Sequence, residues 1–317
     1  MSVNFVADVG GTNIRLAQIE NGKLTNIKKY LCSDHASITA AIQTYFAAFP
    51  EIKFSAGCLG VACPVNSDFI SMTNNSWQFS ITKLQESLGL QWLGVINDFT
   101  AVAHAVTVLN QQQKEQVGQG QAVAGDNIAV FGPGTGLGVK HLTMTEQGWL
   151  ALDGEGGHVD FAPVDEEDLA IWRFLTAKYG HASAEEVMSG RGLLQIYQAL
   201  AVQRGVAAVF DDPADITDRA LDGSCELSQA TLSQFCRIMG SFAGNLALNM
   251  GTRGGVYIGG GIAPRFLNFL KDSDFRMRFE AKGRFRDYVA SIPTFIITEP
   301  DHGLIGAMAY LAQNHKG

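Results

Sequence analysis

Asp8-Val9-Gly10-Gly11-Thr12-Asn13 separates two apolar runs, Phe5-Val6-Ala7 and Ile14 to Ile19. Adjacent glycines let the backbone turn sharply and leave N–H groups uncovered by side chains. Such a loop can simply close a hairpin, or it can curl around a phosphate oxygen. Thr12 and Asn13 add side-chain donors. Asp8, at the carboxyl end of the first strand, is placed to hold a water on a metal ion. One glycine turn does not choose between these roles. The choice comes from a recurrence further along the chain. The first loop is followed by a strand to Ile19, an Asn21-Gly22 turn and a strand from Lys23 to Tyr30. Ile128 to Phe131 leads into Gly132-Pro133-Gly134-Thr135-Gly136-Leu137-Gly138, then Val139 to Thr145, a Gln147-Gly148 turn and Trp149 to Leu152. Recurrence of the whole order predicts a duplicated α/β domain whose two glycine loops face one cleft.

The bulk properties agree with two such domains. The 317 residues exceed one comfortable core, and a hydrophobic content of 46% permits two full-sized ones. A net charge of −8 without a long basic run argues against nucleic acid as a partner. Of the 5 cysteines no two form a CxxC pair, so buried reduced thiols are expected rather than disulfides or zinc. Met1-Ser2-Val3-Asn4 runs directly into a strand with no leader pattern, and no apolar run reaches membrane-spanning length. A cytoplasmic protein is expected.

Between the two meanders, Ala36 to Phe49 has helical spacing, Phe54 to Ala62 reads as a central strand and Phe69 to Thr73 as a short one. Ser80 caps a helix through Leu88, and Trp92 to Ile96 is a buried strand running into a helix to about Leu109. Residues 110–125, rich in Gln and Gly, read as a link at the domain boundary. This places the smaller domain at 1–109 plus 300–317 and the larger at 110–299. In the larger one, helices are expected at 166–179, 184–188, 193–204 and 227–250. Asp211 to Gly223 reads as loop-rich and Phe275 to Asp287 as surface. Strands are expected at 256–258 and 294–298, and a closing helix with small Gly306 and Ala307 at 304–311.

Glycine-containing loops stand at four strand ends: 8–13, 132–138, 259–261 and 301–303. None is a P-loop, and Leu137 occupies the place where a dinucleotide fingerprint needs glycine. Their number, and the equivalence of two, predicts a nucleotide held by backbone amides and threonine hydroxyls. Asn97-Asp98 sits where a buried strand meets a helix, the usual ligand end of an open α/β sheet. There Asp98 can accept a hydroxyl proton, although Asp98 or Thr100 could equally serve as a helix cap. Glu155-Gly156-Gly157-His158 turns two polar side chains to one side and suits sugar hydroxyls. Glu185 and Glu186 could be no more than a solvated helix face.

Together these residues resemble bacterial ATP-dependent glucokinases of the actin-like sugar kinase superfamily, over essentially the whole chain. The resemblance rests on DVGGTN, Val95-Ile96-Asn97-Asp98-Phe99-Thr100-Ala101, GPGTGLG, Glu155-Gly156-Gly157-His158, Ser183-Ala184-Glu185 with Ser189-Gly190, and Gly259-Gly260-Gly261-Ile262 in that order. It implies two actin-like (ribonuclease H-like) α/β domains around a central cleft. It also implies transfer of a phosphoryl group from ATP to the 6-hydroxyl of glucose, the entry step of glycolysis. Asp98 would be the base, and Asn97, Glu155, His158 and Glu185 would bind other hydroxyls. Asp8, Gly10, Gly11, Thr12 and Asn13 would face the phosphates of ATP, with Gly134 and Thr135 opposite and Gly260 and Gly261 near the adenosine. Asp8 would meet Mg2+ through water. A homodimer is implied. The zinc loop and DNA-binding extension of the related repressor/kinase (ROK) family are missing from the sequence. A carboxylate of ordinary pKa, roughly 4, suffices as a late proton acceptor in such a transfer. Two other readings stay open: a kinase for another hexose or N-acetylhexosamine, and a non-catalytic actin-like nucleotide-binding protein. A glycosidase using Asp153 and Glu155 as paired carboxylates would leave the glycine loops without a role.

Overall fold

The computed structural model describes residues 2–315. The chain divides into two compact units, Met1–Asn110 with Glu299–Gly317, and Gln111–Thr298.

The first unit is built on strands β1 (Ser2–Val9), β2 (Asn13–Glu20), β3 (Lys23–Leu31), β4 (Lys53–Val61), a small hairpin β5 (Phe69–Ser71) and β6 (Gln78–Ser80), and β7 (Trp92–Asn97). Its main sheet runs β3-β2-β1-β4-β7. The first three strands form an antiparallel meander, and β4 and β7 join in parallel. Parallel pairing requires crossovers, which α1 (Ile38–Ala47) and α2 (Ile81–Ser87) supply. Each starts on a serine, Ser37 or Ser80, whose hydroxyl accepts a backbone N–H of the first turn. Helix α3 (Asp98–Val106) follows β7 without an intervening loop. The carboxyl-terminal helix His302–Asn314 returns to this unit. Its Leu304, Ala307 and Leu311 bury against Val6, Ala17, Cys58, Ile96 and Ala101. A Cβ on Gly306 would stand 1.6 Å from the Ala101 carbonyl oxygen, so the two helix backbones touch only because Gly306 has no side chain.

The second unit repeats this order. Its strands are β8 (Lys114–Val117), β9 (Ile128–Pro133), β10 (Leu137–Thr145), β11 (Gly148–Leu152), β12 (Val256–Ile258) and β13 (Thr294–Ile297). The sheet runs β11-β10-β9-β12-β13-β8. An antiparallel meander again leads into two parallel strands. The added edge strand β8 comes from the stretch that reads in sequence as a link. It pairs antiparallel with β13, with Lys114 opposite Ile297 and Val117 opposite Thr294.

The helices of this unit are α4 (Glu166–Tyr179), α5 (Gly190–Arg204), α6 (Pro213–Leu221), α7 (Glu226–Met250), α8 (Leu267–Asp272), α9 (Phe275–Glu280) and α10 (Arg286–Ala290). Three expectations fail here. The stretch 211–223 contains helix α6, capped by Asp212 with Pro213 at its first position. Residues 184–188 form turns rather than a helix. Phe275 and Phe279 of α9 are fully buried against α7 rather than at the surface. They reach the core because Gly240 and Gly244 on α7 leave room for the α9 backbone.

That burial carries a charged network with it. Arg278 of α9 donates to Asp165 at 2.6 Å and to Asp168, which is completely buried. Asp168 also accepts from Gln234, and Asp165 from Arg237, while Asp165 caps α4. Removing one member of such a network strands a buried charge. Arg278→Ala is expected to destabilise the second unit by about 3–5 kcal/mol, read by calorimetry as a lowered melting temperature.

Candidate active-site residues

In the first unit, hairpin β1–β2 places Asp8 directly opposite Arg15. Arg15 donates to Asp8 Oδ2 through Nη2 at 2.6 Å and Nε at 3.2 Å, and to Asp301 Oδ1 at 2.8 Å. Its third contact is the Pro300 carbonyl at 3.1 Å. Both ionic partners of Arg15 are thus one-sided, and Asp8 keeps Oδ1 free of protein donors among the described residues. The Gly10–Thr12 turn is closed by Gly10 N–H to the Asn13 carbonyl at 2.9 Å and held by Cys32 N–H to the Thr12 carbonyl at 2.8 Å. Thr12 itself is exposed at the tip. Asn75 donates to the Gly10 carbonyl at 3.4 Å, bringing the 74–77 loop over the glycines.

At the other end of this sheet edge, β7 stops on Asn97 and α3 begins on Asp98. The cap is neither Asp98 nor Thr100: Asn97 Oδ1 accepts the N–H groups of Phe99 and Thr100 at 3.0 and 3.3 Å. Asn97 Nδ2 donates to Asp98 Oδ1 at 2.9 Å and to the Cys63 carbonyl at 3.3 Å. Asp98 Oδ1 also receives the Phe99 N–H at 2.8 Å. Oδ2 is left without a protein donor among the described residues. Burial, reinforced by the negative charge of Asp8, pushes the Asp98 carboxyl up to about 6, although the donors on Oδ1 pull the other way. The sequence alone gives no reason to expect more than an ordinary carboxylate here.

In the second unit, three segments converge. The turn between β9 and β10 is closed by Gly134 N–H to the Gly136 carbonyl at 2.8 Å and leaves Thr135 exposed. Glu155 precedes a short 3-10 turn, Gly156–His158, which His158 ends, and both side chains are exposed. Gly190 N–H binds the Gly134 carbonyl at 2.9 Å, and Glu185 N–H binds the Gly157 carbonyl at 2.8 Å. Glu185 is not on a solvated helix face. It is half-buried, with Oε2 accepting the Leu137 N–H at 2.9 Å. Gly259 N–H binds the Phe131 carbonyl at 2.8 Å, and a Cβ on Gly260 would lie 2.4 Å from the Pro133 carbonyl oxygen, so the 259–261 loop lies against the same turn. Gly134, Thr135, Glu155, His158, Glu185, Gly260 and Gly261 therefore belong to one neighbourhood. Asp153, by contrast, pairs with Lys140 at 3.4 Å. A cavity of about 490 Å³ lies behind this region, lined among others by Val139, His141, Phe161, Phe242 and Leu246.

Sequence reasoning missed Arg15, Asn75 and the loop bond of Glu185. Arg15 was findable: a hairpin turning at Gly10–Thr12 puts residue 15 across from residue 8. Asn75 and Glu185 make their contacts across segments distant in sequence, and no local pattern announces them.

The glucokinase family model matches residues 5–314. The glucokinase of Photorhabdus laumondii is 49% identical over 311 residues, covering 98% of this chain and 97% of the relative. That of Escherichia coli K12 is 47% identical with the same coverage. The crystal structure of a glucokinase from an Antarctic psychrotroph superposes with a TM-score of 0.93 at 38% identity, covering 99% of this chain and all of that one. A glucokinase from Balamuthia mandrillaris, solved with glucose, shares the fold at a TM-score of 0.82 and 20% identity, over 99% of this chain and 94% of that one.

The Asp98 environment has a measurable cost. Folding raises this carboxyl from an ordinary 3.8 to about 6, so the folded chain holds its proton more tightly than the unfolded chain. The penalty is absent below about pH 4 and grows as the pH rises through about 6. Asp98→Asn is expected to stabilise the first unit by about 1–3 kcal/mol at pH 8. Melting curves at pH 8 and pH 4 check this: the gain should fade at the lower pH.

Proposed function

The chain belongs to the glucokinase family, and on that premise we propose that it transfers the γ-phosphoryl group of ATP to the 6-hydroxyl of glucose with Asp98 as the general base. The observation that carries the assignment of Asp98 is its open Oδ2 on a half-buried carboxyl with a pKa raised to about 6. A base poised near the working pH combines ionisation with proton affinity better than one of ordinary pKa. Asn97 fixes Oδ1, so the free oxygen has a defined direction toward the sugar hydroxyl. The 6-hydroxyl loses its proton to Asp98 Oδ2 as its oxygen forms a bond to phosphorus and the bond to the ADP oxygen breaks. Phosphoryl transfer of this kind depends on alignment and charge stabilisation more than on base strength.

The remaining residues divide by chemistry. Asn97, Glu155, His158 and Glu185 take the other hydroxyls, with carboxylates accepting and amide and imidazole N–H groups donating. Gly11 and Thr12 in one unit, and Thr135 in the other, offer backbone N–H groups and exposed threonine hydroxyls to phosphates, while Gly10 with Asn13, and Gly134, close the two turns that present them. Gly260 and Gly261 take the adenosine side. Magnesium arriving with a triphosphate needs one or two protein carboxylates rather than a complete cage. Asp8 fits that demand, directly or through water, because Arg15 occupies only Oδ2. The ion would neutralise charge on the transferring phosphoryl group.

No described helix is long and apolar enough to cross a membrane. All five cysteines are free thiols, which supports a reducing, cytoplasmic setting. We assign a homodimer from the family resemblance, to be tested by light scattering. The product places the reaction at the entry of glycolysis. Release of ADP across a panel of glucose, mannose, fructose and N-acetylglucosamine tests the substrate assignment. Highest kcat/KM on glucose supports it, and preference for another sugar replaces it.

Asp98→Asn should lower kcat at least ~100-fold while leaving glucose affinity near that of the parent. In the unsubstituted enzyme, kcat/KM for glucose should fall tenfold per pH unit below about pH 6, where Asp98 becomes protonated. His158→Ala should raise the KM for glucose with little change in that for ATP. Turnover unchanged in Asp98→Asn would remove Asp98 from the base role.

A further inference from the structure

The β9–β10 turn is held from outside by one short segment, residues 185–190. Two peptide planes of the turn are fixed by it. In the plane joining Gly136 and Leu137, the carbonyl accepts the Gly134 N–H at 2.8 Å and the N–H donates to Glu185 Oε2 at 2.9 Å. In the plane joining Gly134 and Thr135, the carbonyl accepts the Gly190 N–H at 2.9 Å. A trans peptide carries its N–H opposite its C=O, so this last bond turns the Thr135 N–H the other way, at the exposed tip of the turn. The turn is thus kept in one shape by a carboxylate and a backbone amide from the same segment.

Glu185 reaches the turn because Gly136 has no side chain. A Cβ there would stand 2.6 Å from Glu185 Oε2. A contact below 3 Å with a carboxylate oxygen forces that carboxylate aside. The other end of Glu185 is tied as well: its N–H binds the Gly157 carbonyl at 2.8 Å, inside the turn that carries His158. Among the described residues no protein donor reaches Oε1.

We propose that Glu185 is a positioning residue for the nucleotide loop as well as a sugar ligand, so that its two oxygens couple the sugar to the triphosphate. This rests on the assignment of Glu185 to the sugar made above. Oε2 holds the Leu137 N–H, and with it the turn that offers the Thr135 N–H to phosphate. Oε1 remains for a sugar hydroxyl. A hydroxyl bonded to Oε1 fixes the carboxylate plane, which fixes Oε2 and the turn. A phosphate that orders the turn aligns the carboxylate in return. Such coupling is reciprocal: each substrate must tighten the other by the same factor.

The consequence is a crossed phenotype that a purely local role would not give. Glu185→Ala removes both functions and should raise the KM for glucose and the KM for ATP, each about tenfold, the scale of one hydrogen bond to a charged group. Glu185→Gln keeps a carbonyl oxygen for the Leu137 N–H and should raise mainly the KM for glucose. Gly136→Ala lies in the nucleotide loop, yet should raise the KM for glucose by displacing Glu185. Direct glucose titrations by tryptophan fluorescence, with and without AMPPNP, supply the coupling factor. It should be several-fold in the parent and near one in Glu185→Ala and Gly136→Ala. Melting curves identify any variant that fails to fold, and Glu185→Gln, nearly isosteric, keeps the comparison open in that case. If the Glu185 variants raise the KM for glucose alone and Gly136→Ala that for ATP alone, the coupling is overturned while the sugar assignment stands. If the KM for glucose is unmoved in all three variants, the sugar assignment falls and the coupling with it.

Discussion

Two helix backbones in direct contact set the geometry of the first unit. Gly306 lets the carboxyl-terminal helix lie against Ala101, one turn into α3. Helix α3 begins on Asp98, so its axial position decides where the carboxylate stands. Its start is fixed separately by Asn97, whose amide caps the helix and bonds to Asp98 itself. The placement of the Asp98 carboxylate is therefore a packing result. It depends on a glycine eight residues beyond position 298, in a helix that contributes no side chain to the chemistry assigned to Asp98. A larger residue at 306 would push the two helices apart and carry Asp98 with them.

The electrostatics of this unit follow from how the charges are shared. Asp8, Asp98 and Asp301 bring three carboxylates to one side of the sheet, and Arg15 pairs with two of them. Asp98 is the one left without a cation, and its pKa is raised by burial first and by the like charge of Asp8 after it. The acidic excess that sequence composition spreads over the whole chain acts here through three particular residues. The same arrangement leaves Asp8 half-neutralised, with one oxygen held and the other open.

Much of this was legible because it is local. Two glycine turns with matching flanks revealed the duplication, and an Asn-Asp pair at the end of an apolar run singled out the carboxylate proposed as the base. The small face of Gly306 and Ala307 announced close packing of the last helix. What escaped depends on partners far away in the chain. Strand β8 has a polar sequence, Lys114-Glu115-Gln116-Val117, and is a strand only because β13 offers it an edge. Phe275 and Phe279 look like surface residues among arginines until Gly240 and Gly244 open a groove for them. Helix α6 is a different failure, since Asp212-Pro213 is a legible start signal masked by a polar interior. The raised pKa of Asp98 follows from burial and from Asp8, and neither is written in residues 97–100.

The pairing of β8 with β13 places Lys114 beside Ile297, the residues near which the second unit begins and ends. The second unit is thus an insertion whose two ends meet, so it can close on itself as soon as it has been made. The first unit cannot. Its core lacks Leu304, Ala307 and Leu311 until the helix at 302–314 has been made. On the ribosome, where domains form as units in order of synthesis, this reverses the order: the half that starts first finishes last. The face of α3 that the final helix covers stays bare through the synthesis of nearly two hundred residues, a window in which a chaperone has something to hold and a truncated message yields a chain with a finished half and an open one.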